Sequence, residues 1–194
     1  PTSQEFGGEK LPPAKLTFSF PKETKIPGTI NIYKIEAASE DKNRAFFDKI
    51  SQALGATTSA QIKTLGNEKS YTVTQNSFYF AGNLSTGYFS FSGKSAKTLD
   101  TSDEDSVRLS AWDFLFLIGL TNNVSNTPIV SYSNYLGGEF TKPTNSFLSD
   151  AIGLTYQPSI NNLPLLGLGS TYAPLQVFID KKNKYIFRLD YAIP

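Results

Sequence analysis

The chain of 194 residues contains no cysteine, no histidine and no methionine. Without cysteine there is no disulfide, no thiolate nucleophile and no thiolate metal ligand. Without histidine there is no imidazole ligand and no Ser-His-Asp relay. Together these absences remove most familiar catalytic sites, and no cofactor or metal is expected. The missing methionine means that Pro1 is not a translation start, so the chain is expected to continue before Pro1 or to have been processed. An excess of charge is lacking too: Lys+Arg 18 against Asp+Glu 17 gives a formal charge of +1. Neutralising the phosphates of a nucleic acid takes a basic excess, so nucleic acid is not an expected partner. The longest apolar run, Phe114 to Ile118, falls far short of the roughly 20 residues that span a bilayer. Membrane attachment is therefore expected only through a segment preceding Pro1.

What is present is enough apolar matter for a packed core. Hydrophobic residues make up 39% of the chain and aromatic residues 13%, which suits one good-sized domain or two small ones. The first 27 residues carry Gly7, Gly8, Pro12, Pro13, Pro21 and Pro27. Such a stretch favours extended or polyproline structure and reads as a stem or arm, with one short edge strand at Lys15 to Phe20. The run TINIYKIE, beginning at Thr29, reads as a first strand.

From Ser39 to Leu54 the spacing of Phe46, Phe47, Ile50 and Leu54 predicts an amphipathic helix. Ser39 suits its N-cap, Glu40 and Asp41 its first turn, and Gly55 its left-handed stop. Segments 61–65, 71–74, 77–80 and 87–91 then read as consecutive antiparallel strands, with turns at Gly66-Asn67, Gly82-Asn83 and Thr86-Gly87. Residues 92–102 are small, polar and without period, which marks a linker.

A second cycle follows. The stretch from Asp103 to Gly119 is the most apolar in the chain and holds the only tryptophan, Trp112. It predicts a helix with both ends marked. Leu115, Phe116 and Leu117 stand where a solvated face belongs, so the helix is expected to be covered on more than one side, with Trp112 largely buried. Strands are predicted at 128–135, 147–156, 175–180 and 185–191, the last two joined as a hairpin across Lys181-Lys182-Asn183-Lys184. Helix, glycine, antiparallel strands and a closing aromatic strand thus occur twice. The pattern predicts an α+β fold of two diverged helix-plus-antiparallel-sheet units: a proline-rich stem over 1–27, a first unit over 28–98 and a second over 99–194.

Few side chains form a chemical constellation. The carboxylates Asp100, Asp103, Glu104 and Asp105 crowd one helix start, where free N–H groups and the helix dipole favour them. A calcium loop is the alternative, although the spacing is not that of an EF-hand. Gly93-Lys94-Ser95 lacks the upstream glycine of a phosphate-binding loop, since Tyr88 stands there. Asp113 lies within the apolar helix, where burial would make it an acid or where Arg108 would neutralise it. For contact with a partner, the candidates are the apolar loop residues Leu165, Leu166 and Leu168, the loop at Gly137-Gly138, and the aromatics Tyr79 and Phe89 on the second face of the first sheet. An aromatic face of that kind can bind a sugar or a peptide.

The order of features carries a resemblance. Phe6-Gly7 and Leu11-Pro12-Pro13 come first, then TINIYKI, a helix ending at Leu54-Gly55, Thr86-Gly87-Tyr88-Phe89, and a helix ending at Ile118-Gly119-Leu120. In this the chain resembles uncharacterised membrane-anchored extracytoplasmic proteins of candidate-phyla bacteria and, more distantly, the YycH and YycI type of extracytoplasmic regulators of cell-wall sensor kinases. The resemblance implies a membrane anchor before Pro1, an outward-facing domain and a role in binding or regulation, and it brings no catalytic residue. The expectation is a non-enzymatic module that contacts a protein partner, an envelope component or copies of itself. A structural subunit of a surface assembly and a carboxylate-dependent glycan hydrolase are the alternatives, the latter requiring two acids facing each other across a cleft.

Overall fold

The computed structural model describes residues 38–136, 139–141, 149–160, 163–164 and 175–192, all within one compact unit, Ile35–Pro194. The expected stem and the TINIYKIE strand lie outside these residues. Among the described residues the architecture is α+β and mostly sheet, with two α-helices and one large antiparallel sheet.

Helix α1, Glu40–Leu54, begins where the Ser39 hydroxyl accepts the Lys42 N–H at 3.4 Å and stops at Gly55, whose φ of 109° is left-handed. Helix α2, Glu104–Ile118, begins where the Asp103 carboxylate accepts the Ser106 N–H at 2.7 Å and stops at Gly119, φ 87°. Both helices therefore start and end at the residues whose chemistry demands it.

After α1 come β1 (Gln61–Leu65), β2 (Glu68–Gln75), β3 (Phe78–Asn83) and β4 (Phe89–Gly93). After α2 come β5 (Ile129–Leu136), the short β6 (Glu139–Thr141), β7 (Ala151–Tyr156), the two-residue strands β8 (Ser159–Ile160) and β9 (Leu163–Pro164), then β10 (Leu175–Asp180) and β11 (Tyr185–Tyr191). The large sheet has the order β1-β2-β3-β4-β11-β10-β7-β5-β6, and β8 and β9 form a separate ribbon. Strand β6 continues the far edge for only three residues. The eight strands before it consist of two four-strand meanders that meet where β4 pairs antiparallel with β11.

The pleat sends alternate residues to opposite faces, and the register shows which face is which. One row across the sheet reads Val73, Phe80, Phe91, Leu189, Val177, Leu154 and Val130. It faces the helices, and Phe47, Ile50 and Leu54 of α1 and Val107, Phe114, Leu115 and Ile118 of α2 close over this face in a single hydrophobic core. The neighbouring row is Thr74, Tyr79, Ser92, Arg188, Phe178, Gly153 and Ser131. It faces away from the helices.

Three expectations need correction. The expected linker is pinned down: Leu99 is buried, Ala96 N–H donates to the Leu54 carbonyl, and the Ser95 and Leu99 N–H groups donate to Ile186 and Lys184. The Ser95 hydroxyl accepts the Ile186 N–H at 3.0 Å and donates to the Lys97 carbonyl, so that serine fastens the crossing strand. The β2–β3 turn, absent from the expected set, is made by Asn76 at φ 40°, while Gly82-Asn83 belongs to β3. Finally, the described residues cover α2 on one side. Phe114, Leu115 and Ile118 are buried as expected, yet Phe116 and Leu117 are exposed. Trp112 is half-buried, its ring 6.0 Å from that of Tyr156.

Candidate binding face

The face of the sheet opposite the helices gathers charged, hydroxyl and aromatic side chains. A groove of about 790 Å³ runs over β3, β4, β11 and the ends of β7 and β10, with Tyr79, Ser92, Lys94, Tyr185, Arg188 and Asp190 among its lining residues. Adjacent strands lie about 4.8 Å apart, so Tyr79, Ser92, Arg188 and Phe178 follow one another across the sheet as a continuous row. Arg188 is at its centre. Its Nε donates to the Asp190 carboxylate at 2.6 Å, and its guanidinium lies 5.6 Å from the Phe178 ring centre, within the range of cation–π attraction. Lys94 is similarly placed, 5.6 Å from the Tyr185 ring. Burial raises the Tyr185 phenol above its ordinary pKa, and Asp180 adds to that by charge and by a hydrogen bond.

A classical pair of opposed catalytic acids would leave its carboxylates free of structural duty. Two of the three acids that line the groove have other work. Asp180 accepts the Asn183 N–H at 2.7 Å and the Asn183 side-chain amide at 3.0 Å, which closes the β10–β11 turn, and Asp190 holds Arg188. Acidic, basic and aromatic side chains thus share the lining of the groove.

No family model and no curated protein matches the chain. Among solved structures it is similar to an uncharacterised protein from Eubacterium rectale ATCC 33656, at 12% identity and a TM-score of 0.56, over 78% of this chain and 54% of that one. The likeness is one of fold. The chain spans about half the length of that protein.

The contact residues expected from the sequence separate. Tyr79 is 47% exposed in the groove. Phe89 is on the opposite face, in the core: β3 and β4 pair Tyr79 with Ser92 but Gly82 with Phe89. The reason is an aromatic cluster. A Cβ on Gly82 would fall 2.4 Å from the Phe47 ring, and the absence of one lets that ring meet Phe80 and Phe89 edge-on at 5.8 Å. The shared second face expected for Tyr79 and Phe89 is thereby overturned. Leu165, Leu166, Leu168 and Gly137-Gly138 lie outside the described residues. Missed in the sequence were Arg188, Tyr185 and Lys94, whose meeting depends on the β4–β11 pairing of distant segments. A hint was available in the alternation of YIFRLDY, which sets Arg188 and Asp190 on one face.

The acidic cluster is occupied with its helix. The Ser106 N–H holds the Asp103 carboxyl below the usual range, as the Ser102 N–H does for Asp100. Glu104 binds the Tyr132 hydroxyl and, at 2.5 Å, Arg108, and both lower its pKa. Among the described residues no group of three potential metal ligands occurs. Asp113 is exposed rather than buried, and Arg108 pairs with Glu104. No helix among the described residues is long and apolar enough to cross a membrane.

Proposed function

We propose that the chain is a non-enzymatic binding module, working outside the cytoplasm on a membrane-anchored protein, that holds an extended segment of a protein partner against the open face of its sheet. The observation that carries this reading is the row of Tyr79, Ser92 and Arg188 that lines the groove, with Phe178 beside Arg188 at the row's end. Tyrosine and arginine are the residues that supply binding energy at protein interfaces, because each offers a large apolar surface and a polar end. The extracytoplasmic placement and the regulatory role rest on the resemblance described above. The two-meander order supports reading the chain as two diverged units, each a helix followed by antiparallel strands, that fused their last strands into one sheet. A glycan hydrolase is the weaker reading because two of the three acids that line the groove, Asp180 and Asp190, are committed to the turn and to Arg188.

A photoreactive residue in place of Tyr79, used in intact cells of the native host, tests this. A discrete adduct with one polypeptide is expected, weakened by Arg188→Ala and absent when the probe replaces exposed Gln52 on α1. Adducts of equal yield at both positions, or an adduct to glycan, would overturn it.

A further inference from the structure

Helix α2 presents an apolar stripe to solvent on the helix layer, remote from the sheet face proposed above. Leu109, Phe116 and Leu117 are 64%, 71% and 59% exposed. They stand at i, i+7 and i+8, and Asp113 lies between them at i+4, so the four share one side of the helix. Trp112, half-buried against Tyr156, borders the same side. Monomeric surfaces scatter single apolar residues, but three large side chains aligned on one helix form a surface built to be covered.

The charge around the stripe indicates by what. Asp105 and Asp113 are exposed within it, and although Lys49 of α1 reaches the end of α2 at Gly119, the last turn of α2 itself contains no basic residue. The sole base on the helix, Arg108, is held by Glu104. An anionic membrane would need lysine or arginine on the flanks, and here the flanks are acidic. A second copy laid α2 against α2 across a two-fold axis would offer the two aspartates no base of the helix other than Arg108, already held by Glu104, and would bury them without a partner.

We infer that the outward stripe of α2, Leu109, Phe116 and Leu117 with Asp105 and Asp113, is a docking site for a basic amphipathic helix of a protein partner. Leucine-type anchors of the incoming helix cover the stripe and its lysines or arginines meet the two aspartates, the helix-on-helix mode of recognition. This second surface is independent of the groove and stands whether or not the groove binds anything.

The test uses the whole chain and a synthetic helix of leucine and lysine, about 18 residues or five turns long, with a leucine and glutamate helix of identical leucine spacing as its control. Trp112, the only tryptophan, reports binding by a shift of its emission to shorter wavelength. The lysine helix is expected to bind at least tenfold more tightly than the glutamate helix. Asp113→Lys should erase that preference, and Phe116→Ser with Leu117→Ser should weaken binding at least tenfold while the thermal midpoint stays unchanged. Should the double variant unfold, the charge preference in Asp113→Lys still decides. Equal binding of the two helices, or binding indifferent to these substitutions, would overturn the inference. So would uptake by phosphatidylglycerol vesicles through the same residues, or sedimentation showing that the stripe closes on a second copy of the chain.

Discussion

Two buried tyrosines show how far burial alone is from satisfaction. Tyr71 and Tyr156 are both nearly inaccessible to solvent. The Tyr71 hydroxyl donates to the Asp48 carboxylate at 2.7 Å and shares a hydrogen bond with Ser51 at 3.1 Å, whereas the Tyr156 hydroxyl has no hydrogen-bond partner among the described residues. Removing a satisfied buried hydroxyl costs about 1–2 kcal/mol, while removing an unsatisfied one relieves a desolvation penalty. Urea unfolding should therefore show Tyr71→Phe destabilised and Tyr156→Phe as stable as the parent or more so. The same side chain gives a pH dependence. Burial first, then Asp48, pushes the Tyr71 phenol up to about 12, above the value of about 10 for an unfolded chain. The folded state holds this proton more tightly, so the stability it contributes is intact below pH 10 and is lost as pH rises from about 10 to 12. Tyr71→Phe should reduce that alkaline loss, and an equal loss in parent and variant would refute the assignment.

At the level of elements, the two helices divide by what they bury. Helix α1 has a polar outer side, including Lys42, Arg44, Lys49 and Gln52, over the buried Phe47, Ile50 and Leu54. Helix α2 puts apolar residues on both sides. Leu115→Ala, at 0% exposure, should cost about 2–5 kcal/mol of stability, and Leu117→Ala, on the outer side, should stay within about 0.5 kcal/mol. Similar losses at both positions would mean that α2 is covered on both sides. Helix ends and most strands were legible in the sequence because their signals are local: Ser39 and Asp103 as caps, Gly55 and Gly119 as stops, alternation in LQVFID and YIFRLDY. What lay beyond the sequence was relational. Whether Phe89 points to the core depends on its registry with Gly82, and whether the polar stretch around Ser95 is a linker depends on Ile186, 91 residues away. The same holds for the candidate site. Tyr79 could be read from its own strand, while Arg188 joins the same row, one strand beyond Ser92, only through the β4–β11 seam.

That seam governs the behaviour of the whole molecule. If the two meanders were independent domains, each would need its own core and its own closed edge. Instead β4 and β11 pair through Phe89 with Tyr191 and Phe91 with Leu189, and the Phe89 and Tyr191 rings stack at 5.2 Å. Cutting there would uncover two long central strands and the aromatic surface between them, the kind of edge that recruits other chains. Cooperative loss of both halves follows, since neither can open the seam without exposing its own core. In urea, Trp112 fluorescence, which reports α2, and hydrogen exchange at the β2–β3 amides should give coincident transitions and the same global free energy. Separated midpoints would show that the two halves unfold independently despite their common sheet. The residue that decides the outcome is Phe89, because it belongs to the first meander by sequence and stacks on the last strand of the second; Phe89→Ala should lower both signals together rather than the first alone.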